Sequence, residues 1–308
     1  MVDRSSSRTD PVEIPGPWQH RYVAANGARF HVAETGPARG PLVLLLHGFP
    51  EFWWTWRAQL PVLADAGFRA VAMDLRGYGG SDKTPRGYDP LTLAQDVSGV
   101  VKALGARSAV LVGHGWGGYV AWATAVLHPR EVSALCSVSA PHPLIMLSTL
   151  RPGRRVGALR HVLAMQVPMR PERLLADPES GFLREHLQAW SGPGSPFPDE
   201  AEVATYQRAI SLWPASHCAL EYHRWLFRSR VRADGRRFGH LMREPVGQAV
   251  CCMTGRNDPA LPASTVERSR RHVTGPLTAH VLPRIGHFPH EEDPAGFTRL
   301  LLPWLRDR

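Results

Sequence analysis

The sequence has few cysteines, almost no lysine and no long apolar run. The four cysteines (Cys136, Cys218, Cys251 and Cys252) show none of the spacings typical of a metal site. No stretch reaches the roughly 18 apolar residues of a membrane span. Residues 1–16 are polar and contain no apolar segment of the kind found in a signal peptide. These absences predict a reduced, cytoplasmic protein without a membrane-spanning segment.

Charge of one sign is not concentrated either. The net charge is +9, but no block of five or six like charges occurs. Lys83 and Lys102 are the only lysines among the 36 basic residues, and the arginines are spread along the chain. Part of the positive excess falls within residues 151–245, where an anionic surface could meet it. An arginine-rich, solvated exterior is the simpler interpretation, so neither a nucleic-acid partner nor membrane contact is expected.

Short apolar runs alternate with helical patterns along both ends of the chain. Leu42 to Leu46 is an unbroken apolar run, as expected of a strand buried on both faces of a parallel sheet. The alternation predicts an α/β protein with a mostly parallel, doubly wound sheet. Predicted strands are 42–46, 68–73, 109–112, 132–138, 246–254 and 278–282, and predicted helices of this part are 52–66, 91–104, 116–127 and 294–305.

The middle of the chain lacks this alternation. From residue 141 to about 243 no clear strand is present, and helical patterns cover 171–176, 181–190, 200–210 and 217–228. An inserted helical lid, or cap domain, is therefore predicted. The predicted organisation is a disordered tail at 1–16, the first part of the core at 17–143, the lid at 144–243 and the second part of the core at 244–308.

Residues with catalytic chemistry follow the ends of predicted strands, where ligands bind in open α/β sheets. Gly113 to Gly117 lies between a strand and a helix and has the frame of a nucleophile elbow, glycine-x-nucleophile-x-glycine. Its central residue is Gly115, which has no nucleophile. Asp258 and His287 follow later strands, in the order nucleophile, acid, histidine that is typical of α/β-hydrolases. Taken singly, such an Asp is usually a turn residue and such a His is usually structural.

Five stretches resemble the epoxide hydrolases of the α/β-hydrolase superfamily. They are HGFPEFWWTWRAQLPVL (47–63), DLRGYGGSDKT (74–84), GHGWGG (113–118), GRNDP (255–259) and GHFPHEEDP (286–294). In that family the aspartate of GHDWG attacks the epoxide, and water activated by the histidine hydrolyses the resulting ester. The resemblance implies an α/β-hydrolase fold, with the backbone N–H groups of Phe49 and Trp116 as the oxyanion hole and Asp258 and His287 as the acid and the base.

The sequence departs from this family at three functional places. Gly115 stands at the position of the nucleophile. The second lid tyrosine, which donates a hydrogen bond to the epoxide oxygen in the family, corresponds to His223, with Tyr222 beside it. The first should lie near residues 160–166, where His161 is the polar candidate. Trp53, in a tryptophan cluster beside the oxyanion turn, is a further candidate for substrate binding.

The sequence leaves several functions open. The first is an epoxide hydrolase-type enzyme that uses water on a small apolar epoxide or related ester, weakened or altered by the missing nucleophile. The second is a catalytically retired pseudo-hydrolase that binds an apolar ligand. A dehalogenase-like enzyme is less well supported, because Phe49 and Trp116 stand where two dehalogenase groups have Asn and Arg. A protein whose lid contacts a membrane or a partner is also less well supported, because no apolar, lysine-rich amphipathic stretch is present. No cofactor and no metal are expected, and a homodimer is left open.

Overall fold

In the computed structural model, which describes residues 11–149 and 157–308, the described strands form one eight-stranded sheet. They are β1 (Gln19–Ala25), β2 (Ala28–Thr35), β3 (Leu42–Leu46), β4 (Arg69–Met73), β5 (Ala109–His114), β6 (Val132–Val138), β7 (Ala249–Gly255) and β8 (Leu277–Leu282). The spatial order is β1-β2-β4-β3-β5-β6-β7-β8. Strands β3 to β8 pair with one another in parallel. Strand β2 pairs antiparallel with β4, and β1 pairs antiparallel with β2.

The predicted α/β architecture is confirmed. All six predicted strands are present, and their ends agree within three residues. Every residue of β3 is buried, as the unbroken apolar run at its position predicts. The sequence analysis missed β1 and β2, because these strands pair at the edge of the sheet and mix polar with apolar residues.

Helices pack on the sheet and make up much of the described part of the chain between β6 and β7. They are α1 (Gln59–Asp65), α2 (Pro90–Ala103), α3 (Trp116–Leu127), α4 (Pro143–Thr149), α5 (Gly157–Ala164), α6 (Arg170–Ala176), α7 (Phe182–Trp190), α8 (Glu200–Ile210), α9 (Ala215–Arg228), α10 (Ala233–Leu241), α11 (Ser264–Ser269), α12 (Pro289–Glu292) and α13 (Pro294–Arg306). The described residues between β6 and β7 contain helices α4–α10 and no strand, and we refer to these helices as the lid. Its exact boundaries at residues 144 and 243 stay a prediction.

Local sequence explains where these helices begin and where one prediction fails. Asp89 caps α2 by accepting from the amide of Thr92 at 3.0 Å, and Pro90 at the first position needs no donor. The single helix predicted over 52–66 is wrong. A short 3₁₀ helix, Trp53–Trp56, precedes α1, since Pro61 can neither donate to the carbonyl of Arg57 nor pack against it without a clash.

Part of the predicted N-terminal tail packs on the core. Residues 1–10 lie outside the described residues, but residues 11–16 pack on the core. Val12 is buried, and its carbonyl oxygen accepts a hydrogen bond from Trp53 Nε1 at 2.8 Å. The prediction of disorder is therefore wrong for residues 11–16. Among the described residues, no helix combines the length and the apolar character that crossing a bilayer requires.

The parallel strands carry the candidate site residues to one edge of the sheet. The turn at Phe49 follows β3, Gly115 follows β5, Asp258 follows β7 and His287 follows β8. Because the carboxyl ends of parallel strands meet at the same edge, residues far apart in the sequence become neighbours there. The lid lies over this edge.

Candidate active site

The turn at Gly115 is a sharp strand-to-helix connection in which the three glycines have different surroundings. Gly115 has φ 51° and ψ −114°, and its amide donates to the carbonyl of Val138 at 3.0 Å. A Cβ on Gly113 would lie 2.4 Å from Gly117 O, and one on Gly117 would lie 2.3 Å from Leu46 O. Glycine is therefore required at 113 and 117 by close packing of the backbone. A Cβ on Gly115 would meet nothing closer than 3.5 Å, so space is present there.

Asp258 and His287 form a hydrogen-bonded pair beside this turn. His287 Nδ1 lies 2.9 Å from Asp258 Oδ2, and both side chains are buried. The other Asp258 oxygen accepts from the amides of Ala260 and Leu261 at 2.8 and 3.3 Å. Because Asp258 holds Nδ1–H, Nε2 of the neutral imidazole carries the free lone pair. This nitrogen lies 3.6 Å from the Cβ position of Gly115, so the imidazole faces the elbow.

A buried carboxylate and a backbone contact hold the His287 loop in place. Glu292 accepts from the amides of Gly286 and Phe288, on either side of His287, at 3.0 Å each. The amide of His287 itself donates to Trp190 O at 2.7 Å. Sequence analysis missed this role of Glu292, because a carboxylate near the start of a helix is usually a capping residue. The base is therefore fixed on three sides before substrate arrives.

Phe49 and Trp116, whose backbone amides are predicted to bind an oxyanion, line the same pocket as Gly115. The preceding amide in the first turn, Gly48 N, donates to Glu51 Oε2 at 2.9 Å. Within the described part of the chain the amides of Phe49 and Trp116 have no hydrogen-bond partner. Trp116 is the first residue of α3, where the helix dipole is positive. An oxyanion hole needs two such donors, and the assignment of these amides to one stays a prediction.

A pocket lies between this edge of the sheet and the lid. From the core it is lined by Phe49, Gly115, Trp116 and His287, and from the lid by His161 and His223. Trp116 Nε1 donates to His223 Nε2 at 3.0 Å, and His161 Nε2 lies 3.0 Å from the same atom. Most of the remaining lining is apolar, as in Val162, Trp190, Leu226 and Leu261. The pocket therefore suits a small apolar molecule.

Comparisons with known proteins agree with this geometry. Residues 41–180 match the family model of the alpha/beta hydrolase fold. The chain is 32% identical over 300 residues to an epoxide hydrolase 3 of Xenopus tropicalis, covering 94% of this chain and 78% of that protein. It is 30% identical to epoxide hydrolase A of Mycobacterium tuberculosis, covering 92% of this chain and 96% of the relative. The chain belongs to the epoxide hydrolase family of α/β-hydrolases. The solved structure of an epoxide hydrolase from an endophytic Streptomyces has a TM-score of 0.82 at 31% identity and covers 95% of this chain and 96% of that one.

The two lid histidines are the most informative difference between this chain and the pattern expected of the epoxide hydrolase family. His161 in α5 and His223 in α9 line the pocket where the family resemblance leads one to expect two tyrosines. Burial lowers the pKa of His223 to about 3. Burial and the neighbouring imidazoles of His223 and His186 hold the pKa of His161 well below its ordinary value. Both imidazoles are therefore neutral at pH 7.

Two residues expected at the epoxide hydrolase pocket lie elsewhere. The Tyr222 hydroxyl donates to Arg76 O at 2.7 Å, so it is committed to the core and not to substrate. Trp53 is fully buried, its Nε1 donates to Val12 O, and its ring packs edge-on against Trp18. Both predictions of substrate contact are wrong. Neighbouring residues of a helix point in different directions, and the packing of the lid and the core decides which of them faces the pocket.

Sequence analysis also missed several pocket residues of this epoxide hydrolase family member. Tyr119 and Ser139 line the pocket, and their buried hydroxyls have no hydrogen-bond partner in the described ranges. Tyr119 lies one helical turn after Gly115, a spacing that could have revealed it. The rings of His186 and Trp190 pack against His161 at centroid distances of 4.9 Å each. Both come from α7, a helix with no local signal for the site.

Beneath the pocket, Glu51, His114 and His290 form a fully buried cluster that could also hold a metal ion. Their potential ligand atoms all lie within 4.8 Å of one another. Glu51 Oε2 lies 2.7 Å from His114 Nδ1, while His114 Nε2 lies 2.9 Å from His287 O. Both ring nitrogens of His114 are thus already committed to hydrogen bonds. We interpret the cluster as a support for the catalytic loop and not as a metal centre.

The electrostatics of this cluster couple the protonation of Glu51 and His114. Burial opposes the ionisation of Glu51, but the imidazoles of His114 and His290 outweigh it and hold the pKa of Glu51 well below its ordinary value. Burial likewise opposes protonation of His114, but Glu51 outweighs it and raises the pKa of His114. Each member of the pair therefore favours the charged form of the other.

Replacing Glu51 with glutamine should destabilise the protein by about 3–5 kcal/mol, because it leaves the His114 imidazolium buried and unpaired. The Glu51 contribution is present above its ordinary pKa of 4.5 and is lost as pH falls through the depressed value. The His114 contribution is present below 6.5 and is lost as pH rises through the raised value. Denaturant unfolding should therefore show the largest loss between about pH 4.5 and 6.5. Glu200→Gln, at the exposed Arg184–Glu200 pair, is the matched control and should change little. An equal loss in both variants would contradict the interpretation.

Proposed function

We propose that this epoxide hydrolase family member hydrolyses a small apolar epoxide or related ester with a water molecule activated by His287, without forming an ester on the enzyme. The supporting observation is the intact Asp258–His287 pair, whose free Nε2 faces the space at Gly115 at 3.6 Å. A glycine offers no atom for covalent attack. A water molecule that binds in the pocket between Gly115 and His287 would be within reach of the base.

In the proposed reaction the water attacks the substrate carbon directly. His287 Nε2 takes a proton from the water as the new C–O bond forms, and Asp258 stabilises the resulting imidazolium. The proton then passes to the departing or ring oxygen, so that an epoxide gives a diol and an ester gives an acid and an alcohol. General-base catalysis contributes about 10²–10⁴-fold. Without covalent catalysis, the proposal therefore describes a slow enzyme.

A second candidate is a retired hydrolase that only binds an apolar ligand. The observation that favours it is the mutual pairing of polar groups on the lid: Trp116 and His161 both hydrogen-bond His223, which leaves few polar groups for substrate. In this case a small apolar molecule would occupy the pocket without turnover.

Single-turnover hydrolysis of styrene oxide in H₂¹⁸O, with enzyme in excess, distinguishes these mechanisms. Direct attack places ¹⁸O in the diol during the first turnover. A covalent mechanism delivers an unlabelled oxygen from the enzyme in that first turnover, and this outcome would overturn the proposal. Saturable binding of styrene oxide without any diol would instead support the retired hydrolase. The Gly115→Asp variant provides the covalent reference in the same assay.

A further inference from the structure

Tyr119 carries a buried hydroxyl that no other group among the described residues binds. The residue lies on α3, one helical turn after Gly115, and its amide donates to Gly115 O at 3.0 Å. Its side chain lines the pocket together with Gly115 and His287. A buried hydroxyl without a partner costs stability, and a phenylalanine would give the same ring packing without that cost. The unpaired hydroxyl therefore points to a partner that arrives with the ligand.

Aromatic contacts fix the Tyr119 ring where α3 meets the lid. Its centroid lies 5.4 Å from that of Trp116 and 5.9 Å from that of Phe238 in α10. Trp116 is also the residue whose indole donates to the lid histidine His223. Burial raises the pKa of Tyr119, so the hydroxyl keeps its proton at neutral pH. The core therefore supplies a neutral hydrogen-bond donor beside the lid histidines.

The lid imidazoles have their N–H groups committed within the protein. The Trp116 indole N–H can only donate, so His223 Nε2 accepts from it. The N–H of the neutral His223 ring is then on Nδ1, 3.3 Å from Ala219 O. His161 Nε2 lies 3.0 Å from His223 Nε2 and therefore donates to it. Neither ring keeps an N–H for a substrate oxygen, which the two lid tyrosines implied by the family resemblance would provide.

Two residues of the pocket have unpaired buried hydroxyls, Tyr119 and Ser139. The Tyr119 hydroxyl is carried by a ring that its aromatic neighbours fix, whereas the Ser139 hydroxyl turns about a single bond. A donor that is held in place before the reaction stabilises developing charge best. We infer that the Tyr119 hydroxyl binds the ring oxygen of an epoxide in the pocket and acts in place of the lid tyrosines. The inference rests on the proposed function and names a further catalytic residue for it.

The Tyr119 hydroxyl would act when the epoxide ring opens. Water attacks the ring carbon and gives a proton to His287 Nε2, and a new C–O bond forms. The ring C–O bond breaks, and its electron pair stays on the oxygen, which accepts a hydrogen bond from Tyr119. The proton taken by His287 then passes to this oxygen. Epoxide and water give a diol, with no change of oxidation state.

Tyr119→Phe tests this role, with Tyr78→Phe as the matched control. We expect Tyr119→Phe to lower kcat for styrene oxide by about 100-fold, as the loss of one donor to a developing oxyanion does, and to change KM much less. The Tyr78 hydroxyl is also buried and unpaired within the described ranges, but it does not line the pocket, so Tyr78→Phe should leave kcat unchanged. Denaturant unfolding should show no loss of stability in either variant, because each removes a hydroxyl without a partner.

A binding measurement that needs no turnover separates this inference from the proposed function. Styrene has nearly the shape of styrene oxide but lacks the ring oxygen. Quenching of the fluorescence of Trp116 and Trp190, which line the pocket, reports the binding of either compound after rapid mixing. Tyr119→Phe should raise the Kd of styrene oxide by about 3–10-fold and leave that of styrene unchanged. This difference, found in a protein that forms no diol, would support Tyr119 as the oxygen site while the proposed function fails.

Three results would overturn the inference. Unchanged kcat and unchanged Kd values in Tyr119→Phe, with diol still formed, would do so and leave the proposed function standing. An equal loss of kcat in Tyr78→Phe would mean that the effect does not come from a hydroxyl in the pocket. A larger loss in Ser139→Ala than in Tyr119→Phe would assign the ring oxygen to Ser139. If the wild type forms no diol and Tyr119→Phe binds both compounds as the wild type does, both proposals fail.

Discussion

Gly115→Asp should hydrolyse styrene oxide at least about 100-fold faster than the wild type, because it supplies the nucleophile that the elbow lacks. The new Cβ would make ordinary contacts, at 3.5 Å to Gly48 Cα and 3.6 Å to His287 Nε2. The positive φ of 51° adds strain of roughly 1–3 kcal/mol to any side chain there. We therefore expect a less stable but more active variant, measured by diol formation and by denaturant unfolding.

The gain should require the carboxylate and not only a side chain. Gly115→Asn carries the same strain and nearly the same shape, so it should lose the same stability without the gain in rate. Combining Gly115→Asp with His287→Ala should trap the ester, and intact mass should increase by the mass of one styrene oxide molecule. Equal turnover by Gly115→Asp and wild type would mean that the substitutions at His161 and His223 have also disabled this scaffold for epoxides.

His287→Ala should reduce wild-type hydrolysis of its substrate by about 10²–10⁴-fold, the contribution of a positioned general base. The reason is geometric: Nε2 of His287 faces the space at Gly115, and its ring is held by Asp258 at 2.9 Å and by the loop contacts of Glu292. Steady-state rates of styrene oxide hydrolysis measure the effect. Thermal unfolding of the variant confirms that the loss is not one of folding.

A histidine outside the pocket controls for this prediction. His217 is half-exposed on α9, near Glu172, and His217→Ala should leave the rate unchanged. Asp258→Asn should lower the rate as well, because the amide no longer accepts from Nδ1 as a carboxylate does and the ring loses its orientation. An unchanged rate in His287→Ala would exclude direct attack by water that His287 activates.

The site at the carboxyl ends of the strands was predictable because the sequence patterns that indicate it are local. The apolar run of β3 indicates a strand buried on both faces, and the elbow glycines at 113 and 117 mark a turn that excludes Cβ atoms. Asp258 and His287 each follow a strand of the same parallel sheet. Since parallel strands end at one edge, their order along the chain was sufficient to predict that these residues meet.

The lid was harder to predict, because its residues are selected by packing between distant helices. Tyr222 and His223 are adjacent on α9, about 100° apart around the helix axis. One donates to Arg76 of the core, and the other faces the pocket. No local pattern distinguishes the two. Trp53 is a similar case, since its indole is held by Val12, from a segment that was expected to be disordered.

The amino-acid sequence alone was enough to identify the α/β core, the order of the site residues and the missing nucleophile at Gly115. Each of these depends on residue identity and on contacts within one strand–turn–helix unit. Three-dimensional packing was needed to show that Gly115 leaves usable space, that His223 Nε2 accepts hydrogen bonds, and that Tyr222 lies outside the pocket. Such properties depend on distances between residues as far apart as Trp116 and His223, which are brought together only when the lid packs on the sheet.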